Sequence, residues 1–331
     1  MSRINKYQEG IQKFLKNKSF IKDTTKTTQN IINEVLETSD HLPAILCLTI
    51  LNNQCKKYEI RIHGYYIASG IDVLMIVARV CNNRDYFNNK YTEIAVDNMI
   101  FESTNCFYKC ITQNIEILRD TKDGEIHKRL TQLCIEYATK IIPHITFKQK
   151  IFSNDKMKKT DLFCMSNVND FYNEYKKKNK LNENIIFADS NKTYGSVCKL
   201  ALTLGWIIGL GDDTCLNKIK ELSDDKNISN LEKLADDIGY FLKIYDDFKY
   251  ILRDIKIGQY SMNYVINYGI KQSYIKLIET KTKFLEGIMN LKIETKTMKE
   301  IIDFIMDNVD EIIKDVSVDM ETQYDDVSLC I

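Results

Sequence analysis

The chain has 331 residues, with 46 Lys and Arg against 46 Asp and Glu, so its formal net charge is zero. That balance argues against a nucleic-acid polymer as its main partner, because phosphate binding leaves a basic excess or patch. Only 2 Pro and 12 Gly occur while 44% of residues are hydrophobic, which excludes disorder and turn-rich sandwiches, barrels or propellers and predicts an all-α globular chain.

The first 25 residues are Lys-rich and weakly patterned, and predict a short helix within a loose N-terminal arm. From Asn30 the apolar residues recur at helical spacing, through Ile31, Ile32, Val35 and Leu36. Further helices are predicted over Tyr65–Val80, Tyr91–Leu118, Glu125–Ile142, Val197–Leu210, Leu231–Leu252, Tyr274–Met289 and Met298–Val316. Ser229 and Thr297, each followed three residues later by Glu, fit capping boxes at helix starts. The polar stretch Lys156–Lys180 reads as a solvated loop and helix face. No Pro-, Gly- or Ser-rich linker divides the chain, so one helical domain is expected over 26–320, with a tail over 321–331.

No stretch reads as the ~18–20 apolar residues of a membrane span. The start lacks the apolar core of a secretory signal. The 10 Cys have no zinc spacing and read as reduced core thiols, which suits a cytoplasmic location. His63 and His127 have no visible partners and read as surface or satisfied residues.

Chemistry concentrates in Leu231–Asp254. On a helix, Asp246, Tyr250 and Asp254 form a stripe at spacing four, with Asp247 displaced about a quarter-turn. Clustered carboxylates repel unless protonated, solvated or bridged by a cation. A magnesium ion that also holds substrate phosphate is one such bridge; a solvated acidic face is the other reading.

The order of segments narrows this. Lys192-Thr193-Tyr194-Gly195 opens an apolar run, and IYDDFKYILRD and then DIKIGQYSMNYVI follow. From about Lys192 to Asn267 this resembles the second half of the trans-isoprenyl diphosphate synthases, the polyprenyl synthetase family. The resemblance implies an isoprenoid-synthase-like helical bundle around a central cavity. It implies Mg²⁺ held by Asp246, Asp247 and Asp254, with Asp246 and Asp247 as the catalytic pair. Lys192, Thr193 and Lys243 fall where the diphosphate of an allylic prenyl diphosphate would be bound. It also implies a homodimer, or a heterodimer with a prenyltransferase subunit. The departures are Tyr250 for the third Asp of the motif, Lys243 for a Gln, Gln259 for a Lys and Asn263 for a Pro.

In the first half the resemblance fades. The segment His63–Ser69 keeps a Gly but no basic residues, and the first aspartate motif would fall near Phe107-Tyr108, where no acidic pair stands. Asp97 with Glu102 is a possible substitute, and also reads as a polar helix face. Cys106 and Cys110, one turn apart, read as core filler or as a partner contact. The sequence therefore predicts a prenyl-synthase-like protein with a degenerate site. A class I terpene synthase and a non-catalytic subunit or isoprenoid-binding partner stand as alternatives.

Overall fold

The computed structural model describes residues 2–54, 58–118, 124–146, 181–209, 226–257 and 262–321. Every regular element among them is helical. In order they are α1 (Arg3–Lys18), α2 (Lys26–Leu36), α3 (Leu42–Gln54), α4 (Tyr58–Asn82), α5 (Arg84–Tyr91), α6 (Glu93–Leu118) and α7 (Gly124–Thr146). Then come α8 (Glu183–Ser190), α9 (Ser196–Gly209), α10 (Lys226–Lys249), α11 (Ile251–Ile257), α12 (Tyr264–Tyr268), α13 (Ile270–Asn290) and α14 (Lys296–Glu321). Lys156–Lys180, Gln259 and residues 322–331 lie outside the described residues, as does the side chain of His63.

The bundle is organised by its most apolar helices. Residues Leu42–Leu51 of α3 are all buried, as is every residue of α9 except Lys199. A helix apolar on all sides belongs inside other helices, and α9 accordingly packs against α3, α4, α7 and α10. Its approach to α3 is set by Gly205, where a Cβ would stand 2.6 Å from the Cys47 carbonyl oxygen. α4 packs between α3 and α6. Its Gly64–Asn82 stretch is long and apolar enough to cross a membrane, contrary to the sequence expectation, but 83% of that window is buried in the bundle and it carries Asp72 and Arg79. It is built as a core helix.

Other local expectations shift. The N-terminal segment forms α1, which docks Ile4, Ile11 and Leu15 into the core and touches α4 and α14, so only part of 1–25 is irregular. Periodicity is weak there because three apolar contacts suffice to seat a Lys-rich helix. α10 begins at Lys226, so Ser229 lies inside the helix rather than at its cap. α14 is capped by Thr295, whose Oγ1 accepts from the Met298 amide at 3.2 Å, two residues before the expected Thr297. Cys106 and Cys110 are buried, and their Sγ atoms face the Phe20 and Ser19 carbonyls of the same chain. Trp206 is buried too.

Candidate functional site

α8, a five-residue π-helical turn over Asn191–Gly195, and α9 follow one another without a break. A π turn inserts an extra residue and re-aims the side chains around it. Here it turns Tyr194 towards α10, where its hydroxyl donates to Asp246 Oδ2 at 2.7 Å. The approach depends on Gly239 of α10, whose hypothetical Cβ would lie 2.4 Å from the Gly195 nitrogen. Thr193 is buried with its hydroxyl donating to the Asp189 carbonyl at 3.0 Å. Lys192 is exposed, and neither residue lines the cavity described below.

The predicted stripe is intact. Tyr250 N–H donates to the Asp246 carbonyl at 2.9 Å and Asp254 N–H to the Tyr250 carbonyl at 2.8 Å, so helical hydrogen bonding carries across the α10–α11 junction. Asp246, Asp247 and Asp254 are all buried, and they border a cavity of about 290 Å³. Its opposite wall is the end of α4 and start of α5, with Arg79, Asn82, Asn83 and Tyr86, and Glu34, Glu37 and Thr38 complete the rim. The volume sits at the lower edge of the roughly 300–1,000 Å³ usual for ligand pockets.

The first-half partner of the carboxylates is therefore the α4–α5 junction rather than the expected position on α6. Phe107 is a fully buried core residue, and neither it nor Tyr108 lines this cavity. Asp97 is paired with Arg84 away from the cavity, and Glu102 accepts from Thr25 N and Oγ1. Neither lines the cavity.

Asp246, Asp247 and Asp254 each already have a cation. Arg79 donates from Nε and Nη2 to the two oxygens of Asp246, both at 3.1 Å. Lys243 Nζ lies 2.5 Å from both oxygens of Asp247, which also accepts the Tyr264 amide at 2.8 Å. Arg253 reaches Asp254 at 3.2 Å. Asn263, at the cap of α12, donates to the Asp247 carbonyl at 3.1 Å and to Asp254 Oδ2 at 3.0 Å. The Asn in place of Pro thus ties two acidic residues of the stripe region to α12. Next to Arg79, the His41 Nδ1 and Asp72 Oδ2 atoms pair at 2.6 Å in full burial.

These partners compete with a metal for the same carboxylates. A magnesium ion at Asp246 and Asp247 would have to displace Arg79 and Lys243, stranding two buried cations, and breaking a buried pair costs about 3–5 kcal/mol. Among the described residues no three His, Cys, Asp or Glu side chains converge as a metal set. The residues present do not fit the expected Mg²⁺ clamp.

Electrostatics follow from burial. Burial pushes the Asp247 carboxyl up to about 7 against the opposing pull of Lys243 and the Tyr264 amide. Burial also raises Asp254 despite Arg253 and Asn263. Burial would lower the Arg79 guanidinium, but the Asp246 charge outweighs it and holds it firmly protonated. An Asp whose native carboxyl lies above its ordinary value of about 3.9 favours the folded state at low pH. That contribution is full below about pH 4 and is lost as pH rises through about 7. Urea denaturation of the natural chain and of Asp247→Asn from pH 5 to 8 checks this. Stability of the natural chain should fall relative to the variant as pH rises; a constant difference would contradict the assignment.

Sequence reasoning missed Arg79, Asn82, Asn83 and Tyr194. A signal existed for the first: a lone Arg inside the apolar run IDVLMIVARV is rarely buried without a partner.

No known family profile matches this chain, and no curated protein matches it by sequence. Solved structures do match. A geranyltransferase from Helicobacter pylori, solved with magnesium and isoprenyl diphosphate, is 13% identical with a TM-score of 0.58, covering 94% of this chain and 99% of its own. A protein assigned as a farnesyl-diphosphate synthase from Marinomonas sp. MED121 is 10% identical with a TM-score of 0.55, covering 92% of this chain and 99% of its own. The chain has the all-α fold of the prenyl diphosphate synthases.

Proposed function

We propose that this chain is a prenyl-synthase-like protein with a degenerate site, which binds the diphosphate end of an allylic prenyl diphosphate in the α4–α10 cleft without turning it over. One observation carries the reading: Asp246 and Asp247 are neutralised by Arg79 and Lys243, and the end of α4 presents Asn82 and Asn83 to the same cavity. Ionising an allylic diphosphate requires the leaving group's growing charge to be neutralised as it departs. Carboxylates engaged with resident cations, facing amides, cannot assemble metals for that purpose. A class I terpene synthase needs the same ionisation, so the same observation disfavours it.

A subunit role receives separate support. On α6, Ile94 and Phe101 are 75% and 68% exposed, seven residues apart on one face. Exposed large apolar side chains in register are the material of a protein contact. This agrees with the dimer implied by the sequence resemblance.

The test is a mass-spectrometric assay with Mg²⁺ and allylic diphosphates of increasing length, with and without isopentenyl diphosphate. No elongated diphosphate and no hydrocarbon or alcohol should form. Product that disappears in Asp246→Ala/Asp247→Ala would overturn the reading. An effect of the added chain on the product length or rate of a catalytic prenyltransferase would establish the subunit role.

A further inference from the structure

The stripe Asp246–Tyr250–Asp254 holds two arginines. Arg79 is fixed on Asp246 through Nε and Nη2, and Arg253 on Asp254 through Nε and Nη2. Tyr250 lies close to both, with the Arg253 guanidinium 4.0 Å, Lys249 Nζ 5.8 Å and the Arg79 guanidinium 5.9 Å from its ring centroid. The ring is itself held, since its hydroxyl donates to Thr38 Oγ1 at 2.9 Å. An aromatic face attracts a guanidinium and fixes its plane.

Some donors of these arginines are left over. A guanidinium carries five N–H groups. Nη1 of Arg79 is buried without a hydrogen-bond partner, in a side chain that lines the cavity. Arg253 borders the same cavity with its side chain 44% exposed. Lys243, by contrast, spends its donors on Asp247 and on the Met262 carbonyl at 3.0 Å. Glu34, Glu37 and Asp189 also line the cavity, so any anion held there depends on the donors of Arg79 and Arg253.

We propose that Arg79 and Arg253, seated on Tyr250 and anchored by Asp246 and Asp254, bind a diphosphate group directly, taking over the charge that a divalent metal would supply. This rests on the binding half of the proposed function and gives it a chemistry. Arginine suits the task because its planar fork offers paired donors to phosphate oxygens. Tyr250, which departs from the acidic residue expected at its position, then has a purpose: it converts a metal-ligand position into a seat for two guanidiniums.

The experiment is calorimetric titration of the full chain with inorganic pyrophosphate at pH 8, once in EDTA and once in Mg²⁺. Binding of similar affinity in both is expected. Arg253→Gln, at a partly exposed position, should fold normally and weaken binding about tenfold or more, the loss of one charge-assisted contact. Tyr250→Asp should remove the seat and weaken metal-free binding likewise. Binding seen only with Mg²⁺, binding unchanged in Arg253→Gln, or no binding in either buffer would overturn the proposal. Mn²⁺ titration followed by electron paramagnetic resonance gives a second readout, with no tight uptake expected. Turnover in the mass-spectrometric assay together with metal-free pyrophosphate binding would defeat the functional reading alone, so the two failures are distinguishable.

Discussion

Replacing Arg79 with Met is expected to destabilise the fold by about 3–5 kcal/mol, the cost of leaving one partner of a buried ion pair alone. Asp246 is 4% exposed and receives both Arg79 contacts. Without the guanidinium it keeps, among the described residues, the Tyr194 hydroxyl, and a single neutral donor does not compensate a buried carboxylate. Arg84→Ala provides the comparison. Its partner Asp97 has a side chain 55% exposed, and an exposed pair is worth about 0–1 kcal/mol. Urea denaturation of the two variants should separate them by at least ~2 kcal/mol. The double variant Arg79→Met/Asp246→Asn should recover part of the loss, because a neutral pair carries no stranded charge. Equal losses in Arg79→Met and Arg84→Ala would mean that water reaches Asp246 and that the pair does not hold the cleft.

The same pair shows how far the sequence can be read. The spacing of Asp246, Tyr250 and Asp254 placed them on one helical face, because helical periodicity is a local property that apolar neighbours report directly. The all-α class was legible for the same reason, and so were the cores of α6, α7, α9, α10, α13 and α14. What stands opposite Asp246 was not legible. Arg79 lies 167 positions away in sequence, and only tertiary packing brings it there. The sequence resemblance points to Phe107-Tyr108 on α6, whereas the cavity is walled by the end of α4. Lys192 and Thr193 stand off the cavity for a different reason. Their order in the chain suggests a helix start, but the π turn over Asn191–Gly195 rotates the segment by an extra residue and presents Tyr194 instead. A π turn has no compositional signature comparable to a capping residue or a proline. Asn263 was visible only as a missing proline. Its two side-chain donations, to the Asp247 carbonyl and to Asp254, are non-local and have no pattern in the sequence.

Gly239→Ala is expected to be the most damaging single-methyl change in the site. An added Cβ would lie 2.4 Å from the Gly195 nitrogen, 2.5 Å from its Cα and 2.8 Å from the Tyr194 carbonyl carbon. All three are backbone atoms of the π turn, and backbone cannot rotate away as a side chain can. α10 and the turn must separate, and overpacking of this kind costs about 1–3 kcal/mol, occasionally more. Alanine regains about 1 kcal/mol of helix propensity, which the clash should outweigh. Gly287→Ala in α13 isolates the difference. Its Cβ would also come within 2.4 Å of an atom, but that atom is Cδ1 of Leu234, the end of a flexible side chain. A rotamer change relieves that contact, so the propensity gain should leave Gly287→Ala near neutral. The functional consequence separates the two further. Moving the π turn off α10 breaks the 2.7 Å bond from Tyr194 to Asp246 and loosens the anchor on which Arg79 is set. Gly239→Ala should therefore weaken pyrophosphate binding at temperatures where it is still folded, while Gly287→Ala should bind as the natural chain does. If both variants unfold alike and bind alike, the close contact between α10 and the π turn is not what positions the arginine, and the cleft must be held by the α4 side alone.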